Sequence, residues 1–297
     1  MFTVKVTRRK FALVYAGSIM ASVATMARRK DSPVAGGLSV VEVNTAGGPG
    51  QVRLAYLDSA PGTVKPVVIL IHGSPGTGDV LHKLAALLPV TFRVIVPDLP
   101  GFGSSSRDIP DYSFRAHAHY MLELMDALGI RAAQVLGFSM GGGVALSMVD
   151  LAPERLSSLV MLSAIGIQEH ELTGRYWLNH AIHGLQLAAL RTLRLVVPHF
   201  GWLDDIPFNI SYARNFFDSD QRPLRAVLSR YKGPMLIIHG TKDPLVPLSA
   251  ALEHHRLVPQ SELLLLPSDH FMAFLEPDLF KDRLIDFLQR WDGAGTK

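Results

Sequence analysis

The sequence predicts an α/β fold, a mostly parallel eight-stranded sheet with helices on both faces and one helical insertion. Three observations carry that expectation. Short β-branched or leucine-rich runs alternate with helical stretches from Val40 to Trp291, the rhythm of βαβ units. Several runs, such as Val67-Val68-Ile69-Leu70-Ile71, are apolar without alternation, as strands buried on both faces must be. Finally, 297 residues at 48% hydrophobic and 19% charged suffice for one large packed domain and argue against disorder.

Taken in order, Val40–Val43 and Arg53–Leu57 read as opening strands, followed by Val67–Ile71 and a helix over Val80–Leu88. Phe92–Val96 is the next strand. Ser113 is placed to cap a helix that runs to about Leu128 and closes at Gly129. Gln134-Val135-Leu136 leads into Gly137 and a further helix, and Leu159–Leu162, Met235–Ile238 and Leu263–Leu266 are later strands. An amphipathic helix over about Leu279 to Trp291 closes the chain.

One segment breaks the rhythm. Residues 166–222 show helical patterning, no clear strand and many aromatics: Tyr176, Trp177, Phe200, Trp202, Phe208, Tyr212, Phe216 and Phe217. A connection that long needs structure of its own, so it is expected to be a helical cap or lid. The core is then expected over 38–165 and 223–293. The aromatics suggest an apolar pocket, or simply a small core inside the insertion.

The net charge of +3 conceals a split. Residues 1–30 hold seven basic groups (Lys5, Arg8, Arg9, Lys10, Arg28, Arg29, Lys30) and no Asp or Glu. The remainder carries 29 − 7 = 22 basic against 26 acidic residues, a net of −4. A nucleic-acid partner is therefore not expected. The first 30 residues read as a signal or membrane anchor: a basic start, a charge-free stretch from Phe11 to Ala27, and a small-x-small site at Ser22-Val23-Ala24. Thr7-Arg8-Arg9-Lys10-Phe11 resembles a twin-arginine export signal, whereas Arg28, Arg29 and Lys30 are awkward for translocation. The expected location is membrane-anchored or exported (periplasmic or extracellular), with a cytoplasmic protein as the alternative. The absence of cysteine rules out disulfides, a thiol nucleophile and cysteine-ligated metals.

Four short segments carry chemistry. Gly137-Phe138-Ser139-Met140-Gly141 follows a strand and opens a small-residue helix, the context in which a serine hydroxyl is lifted off a sheet as a nucleophile. His72-Gly73-Ser74-Pro75-Gly76 follows the Val67–Ile71 strand. A serine attacking a carbonyl needs two backbone N–H groups aimed at the developing oxyanion, and Met140 and Ser74 are the expected donors. His72, at a strand end, reads as a structural hydrogen-bond partner. Gly73 to Gly78 has phosphate-loop spacing, but Asp79 stands where that motif needs lysine, and Gly76-Thr77-Gly78 lacks the third glycine of a dinucleotide loop. Asp243, at a strand's carboxyl end, suits either a turn before Pro244 or an acid that orients a histidine. Of twelve histidines, His270 directly follows the last strand on a loop able to reach Ser139.

The order Ser139, Asp243, His270 is that of the α/β-hydrolase triad, and residues from about Val40 to Trp291 resemble the α/β-hydrolase fold family. Pro97-Asp98-Leu99-Pro100-Gly101-Phe102-Gly103-Ser104 resembles the turn after that family's fourth strand, with Asp98 read as a loop brace. Serine at the elbow departs from the dehalogenase and epoxide hydrolase branches, which carry aspartate there. The Gly137–Gly143 stretch is similar to esterases and cofactor-free perhydrolases. Asp269 stands where many relatives have glycine. The resemblance implies an ester hydrolase acting on a small apolar substrate through an acyl-enzyme, with no cofactor and no metal. A C–C bond hydrolase, a perhydrolase or an acyltransferase would use the same triad, and a hydrolase-fold ligand receptor is the non-enzyme alternative.

Overall fold

The computed structural model describes residues 13–22, 36–46, 49–206 and 208–292. The leader's basic clusters and Val23-Ala24 lie outside these residues, as does the end of the 38–165 and 223–293 core expectation at 293.

Eight strands form one sheet: β1 (Ser39–Asn44), β2 (Gln51–Asp58), β3 (Val67–Ile71), β4 (Arg93–Pro97), β5 (Ala133–Phe138), β6 (Leu156–Leu162), β7 (Met235–Gly240) and β8 (Glu262–Leu266). Their spatial order is β1-β2-β4-β3-β5-β6-β7-β8. β2 is antiparallel to both its neighbours, and all pairs from β4 to β8 are parallel. The apolar runs divide their side chains between two cores. Ile69 and Ile71 face one side and Val68 and Leu70 the other, and β6 and β7 do the same. Each face therefore needs its own cover of helices. α3 (Phe114–Ala127), α4 (Met140–Leu151), α8 (Leu224–Arg230) and α9 (Leu248–Leu257) cover the first face; α2 (His82–Leu87), α10 (Met272–Leu275) and α11 (Lys281–Arg290) cover the second.

Two expected helices begin or end differently, for local reasons. The Val80–Leu88 helix is a 3-10 turn over Gly78–Leu81 followed by α2, which stops before Leu88. Leu88 is extended (ψ 143°), as a residue before proline must be, and Pro89 follows. At the C-terminus, Pro277–Leu279 forms its own 3-10 turn, so α11 starts at Lys281. Ser113 does cap α3, its hydroxyl accepting from Ala116 N–H at 3.1 Å.

Between β6 and α8 the described residues form a 3-10 turn (Gln168–His170) and three α-helices: α5 (Tyr176–Val196), α6 (Trp202–Asp205) and α7 (Ile210–Asp218). α5 and α7 stack through His183 on Phe216 and His180 on Phe217, with ring centroids 5.2 and 4.1 Å apart. α7 is fastened to the connection between β4 and α3. Ser211 Oγ donates to Gly101 O (2.8 Å), Asn215 Nδ2 to Tyr112 O (2.7 Å), and Tyr112 N to Asp218 Oδ2 (3.0 Å). The aromatics of this segment do not share one interior. Tyr212, Phe216 and Phe217 pack between α5 and α7, whereas Trp177, Phe200, Trp202 and Phe208 face outward. Residues 13–22 form a helix, α1, tied to the end of α5, with Ser22 Oγ accepting from His199 N (3.0 Å) and Phe200 N (2.8 Å).

Candidate active site

Ser139 is the single residue between β5 and α4, and it turns the chain from strand to helix with φ 52° and ψ −118°. A non-glycine residue holds such a conformation only where its surroundings dictate it. Here the Ser139 N–H donates to Leu162 O (3.0 Å), and its carbonyl accepts from Gly142 N (3.0 Å) and Ile165 N (3.1 Å). The turn is pinned to the end of β6. A Cβ at Gly142 would lie 2.5 Å from Ala164 Cβ, so α4 approaches the segment just after β6 this closely only because position 142 has no side chain. Ser139 is 8% exposed, and its hydroxyl makes no hydrogen bond among the described residues.

The loop after β3 lies against it. A Cβ at Gly73 would come within 2.8 Å of Ser139 Cβ, so a side chain at 73 would displace the serine or the loop. The Ser74–Pro75 peptide is cis. Neither Ser74 N–H nor Met140 N–H, the two donors expected for an oxyanion, has an acceptor among the described residues. His72 fixes the loop. Its Nε2 accepts from Leu99 N–H (3.0 Å), which leaves the proton on Nδ1, donated to Gly73 O (2.7 Å). Burial holds this imidazole below its ordinary pKa, neutral in that tautomer. Asp98 braces the next loop, accepting from Gly78 N (2.7 Å) and Ser104 N (2.8 Å).

Asp243 and His270 meet beneath these loops. The turn after β7 presents Asp243, whose Oδ1 accepts from Leu245 N and Val246 N, both at 2.8 Å. Its Oδ2 accepts from His270 Nδ1 at 2.7 Å, and both side chains are buried. With its proton on Nδ1, the imidazole keeps a free lone pair on Nε2. Burial pushes the Asp243 carboxyl up, but the hydrogen bond and charge of His270 and the two loop amides outweigh it, and Asp243 titrates below its ordinary value. The His270 ring packs on Phe138, the residue before Ser139, with centroids 5.1 Å apart. The structure thus brings the acid and the imidazole into contact and the serine alongside. No hydrogen bond joins Ser139 to His270 among the described residues, and such bonds are often long before a substrate arrives.

His239, at the end of β7, belongs to this neighbourhood too, although the sequence reading singled out His270 alone as the candidate base. Its Nε2 lies 3.0 Å from Val246 O and 4.0 Å from Asp243 Oδ2, fixing the very loop whose amides hold the acid. The signal was its spacing, four residues before Asp243 at the end of the same strand. Among the described residues no cluster of three or more His, Cys, Asp or Glu side chains could hold a metal ion.

A serine on a strand-to-helix turn of a doubly covered, mostly parallel sheet, with an acid and a histidine on the loops after the last two strands, is the arrangement of the α/β-hydrolase class. The comparisons agree. The alpha/beta hydrolase fold family matches residues 66–192. A 2-hydroxymuconate semialdehyde hydrolase of Pseudomonas putida is 30% identical, over 66% of this chain and 76% of its own length. A meta-cleavage product hydrolase of Pseudomonas fluorescens superposes with a TM-score of 0.62 at 25% identity, covering 84% of this chain and 97% of that one. An esterase of Thermogutta terrifontis superposes with a TM-score of 0.70 at 21% identity, covering 86% and 99%. The chain belongs to the α/β-hydrolase fold family.

Proposed function

We propose that this chain is a serine hydrolase that cleaves a carboxylic ester, or a related acyl compound, of a small apolar substrate. The observation that carries the proposal is the 2.7 Å contact from His270 Nδ1 to Asp243, which leaves the Nε2 lone pair free on a ring packed against Phe138, the residue before Ser139. His270 takes the Ser139 proton as Oγ bonds to the substrate carbonyl carbon. The carbonyl electron pair moves to oxygen, where the Ser74 and Met140 amides receive it, each amide contributing about 2.7–4 kcal/mol in comparable sites. The tetrahedral intermediate expels the alcohol, which takes the proton from His270. Water, activated by the same imidazole, then releases the acid and restores the serine. Asp243 holds the tautomer and stabilises the imidazolium.

Covalent labelling by a fluorophosphonate probe tests serine activation without knowledge of the substrate. Wild type is expected to label and Ser139→Ala not to. Labelling of the variant, or none of the wild type, would refute the assignment.

A second reading is favoured by the relative of Pseudomonas putida, whose name is that of a C–C bond hydrolase. Parallel assays on p-nitrophenyl esters and on a 2-hydroxy-6-oxo-dienoate separate the two, the higher kcat/KM naming the reaction. For residues 1–30 we propose a signal or anchoring role, supported by seven basic groups around a charge-free stretch.

A further inference from the structure

We propose that the outward face of α5, together with α1, is a docking surface for an anionic lipid bilayer. α5 buries Asn179, His183 and Leu187. Its opposite face repeats apolar residues at helical spacing, Leu178, Ile182, Leu185, Leu193 and Val196 with Trp177 at the start, and all are exposed, Trp177 by 72% and Leu185 by 73%. Among the described residues this face stays open apart from Arg222 over the Trp177 ring (5.4 Å) and Tyr15 at Val196, far more apolar exposure than isolated surface side chains leave. α1 prolongs it. Leu13, Val14 and Met20 are exposed there, Tyr15 Oη donates to Val196 O, and Ser22 accepts from the His199 and Phe200 amides just past the end of α5.

Charge selects the occupant. From Tyr176 to Leu203 the sequence holds Arg191 and Arg194 and no Asp or Glu, and residues 1–30 add seven basic groups with no acid. The rest of the chain is net acidic. An apolar helix face with two arginines and no acid on its own helix, and with indole at one end, fits the headgroup boundary of an anionic bilayer, the acids Asp204 and Asp205 following only in α6. No helix among the described residues is long and apolar enough to cross a membrane, so this face lies on the bilayer without spanning it. The inference extends the anchoring role proposed for residues 1–30 to the insertion and does not depend on the triad.

The test is co-sedimentation of the full chain with vesicles of phosphatidylcholine alone or mixed with phosphatidylglycerol, beside the double variant Leu185→Glu/Leu193→Glu. Wild type is expected to bind the phosphatidylglycerol vesicles, less so at high salt, and the variant to lose about tenfold in affinity or more. The variant should melt like wild type and hydrolyse a water-soluble ester at the same rate. Equal binding by both proteins would overturn the proposal and leave anchoring to residues 1–30 alone. Absence of wild-type binding would overturn both roles. A dimer that ignores vesicles and is split by the same substitutions would show that a second copy covers the face. Loss of ester hydrolysis in the wild type would defeat the serine-hydrolase reading without touching this one.

Discussion

The floor of the site, the loops around Ser139, and the helical segment over residues 166–222 are built by opposite rules. On the floor the bracing groups are fully engaged, and the atoms left open are few: the Ser139 hydroxyl, the Ser74 and Met140 amides, the Ser74 and Ser163 hydroxyls and the His117 ring. His72 spans two loops, Asp98 gathers two amides, and Asp243 takes two amides and an imidazole. In the helical segment, α5 turns its small polar set inward, and its long outer face is apolar and exposed. The contrast teaches where tolerance lies: substitutions on the floor act through chemistry and burial, those on the outer face of α5 only through what the protein touches.

Four variants would sharpen or break that contrast. Ser139→Ala is expected to lower ester hydrolysis by about a million-fold, measured by steady-state turnover, while the melting temperature stays near that of wild type. Asp243→Asn comes next, with kcat falling about ten-thousand-fold because the imidazole loses its fixed tautomer. Its pH dependence has a definite sign. The depressed carboxyl contributes stability that is complete above its ordinary value of 3.8 and is lost as pH falls through its lower native value. Denaturant titrations in acid should therefore show a flatter profile for Asp243→Asn.

The third variant probes the floor's hidden cost. His117, wholly buried among Phe102, Tyr112 and Tyr120, has no partner for either ring nitrogen, and burial first, then the nearby His72, lowers its pKa to about 3. Between 6.5 and about 3 the unfolded chain binds a proton that the folded one refuses. Stability accordingly falls with pH across that window, by up to about 1.4 kcal/mol per pH unit. His117→Phe should remove this part of the slope, and an unchanged slope in urea midpoints would disprove the account. Smallest is Trp177→Ser, on the open face of α5: about 0.5 kcal/mol or less in denaturant titration. A large loss there would mean that the segment is packed in a way its exposure denies.

Legibility followed the same divide. Each of the eight strands lies within a few residues of where the sequence placed it; β3 to β7 were legible because a strand buried on both faces leaves a continuous signature, which the exposed edge strands β1 and β8 leave only in part. The elbow was legible because a tight strand-to-helix turn demands small residues in fixed order. The contact of Asp243 with His270 could be anticipated only from chain order, since 270 − 243 = 27 positions of helix and strand separate them. The role of His239 was missed because one histidine at a strand end looks like any other until its loop is seen. Which way the aromatics of 166–222 would face was not legible either. Period and composition are the same for a helix that hides its apolar stripe and for one that shows it.

The backbone at Ser139 has one more consequence. Its positive φ is a conformation that glycine adopts freely and serine does not, a difference of about 1–3 kcal/mol held in place by the neighbouring strands. A hydroxyl at this position, the proposed nucleophile, is thus kept at the expense of robustness. A laboratory lineage selected for heat resistance alone would drift toward glycine at this position and end as a sturdier, inert protein.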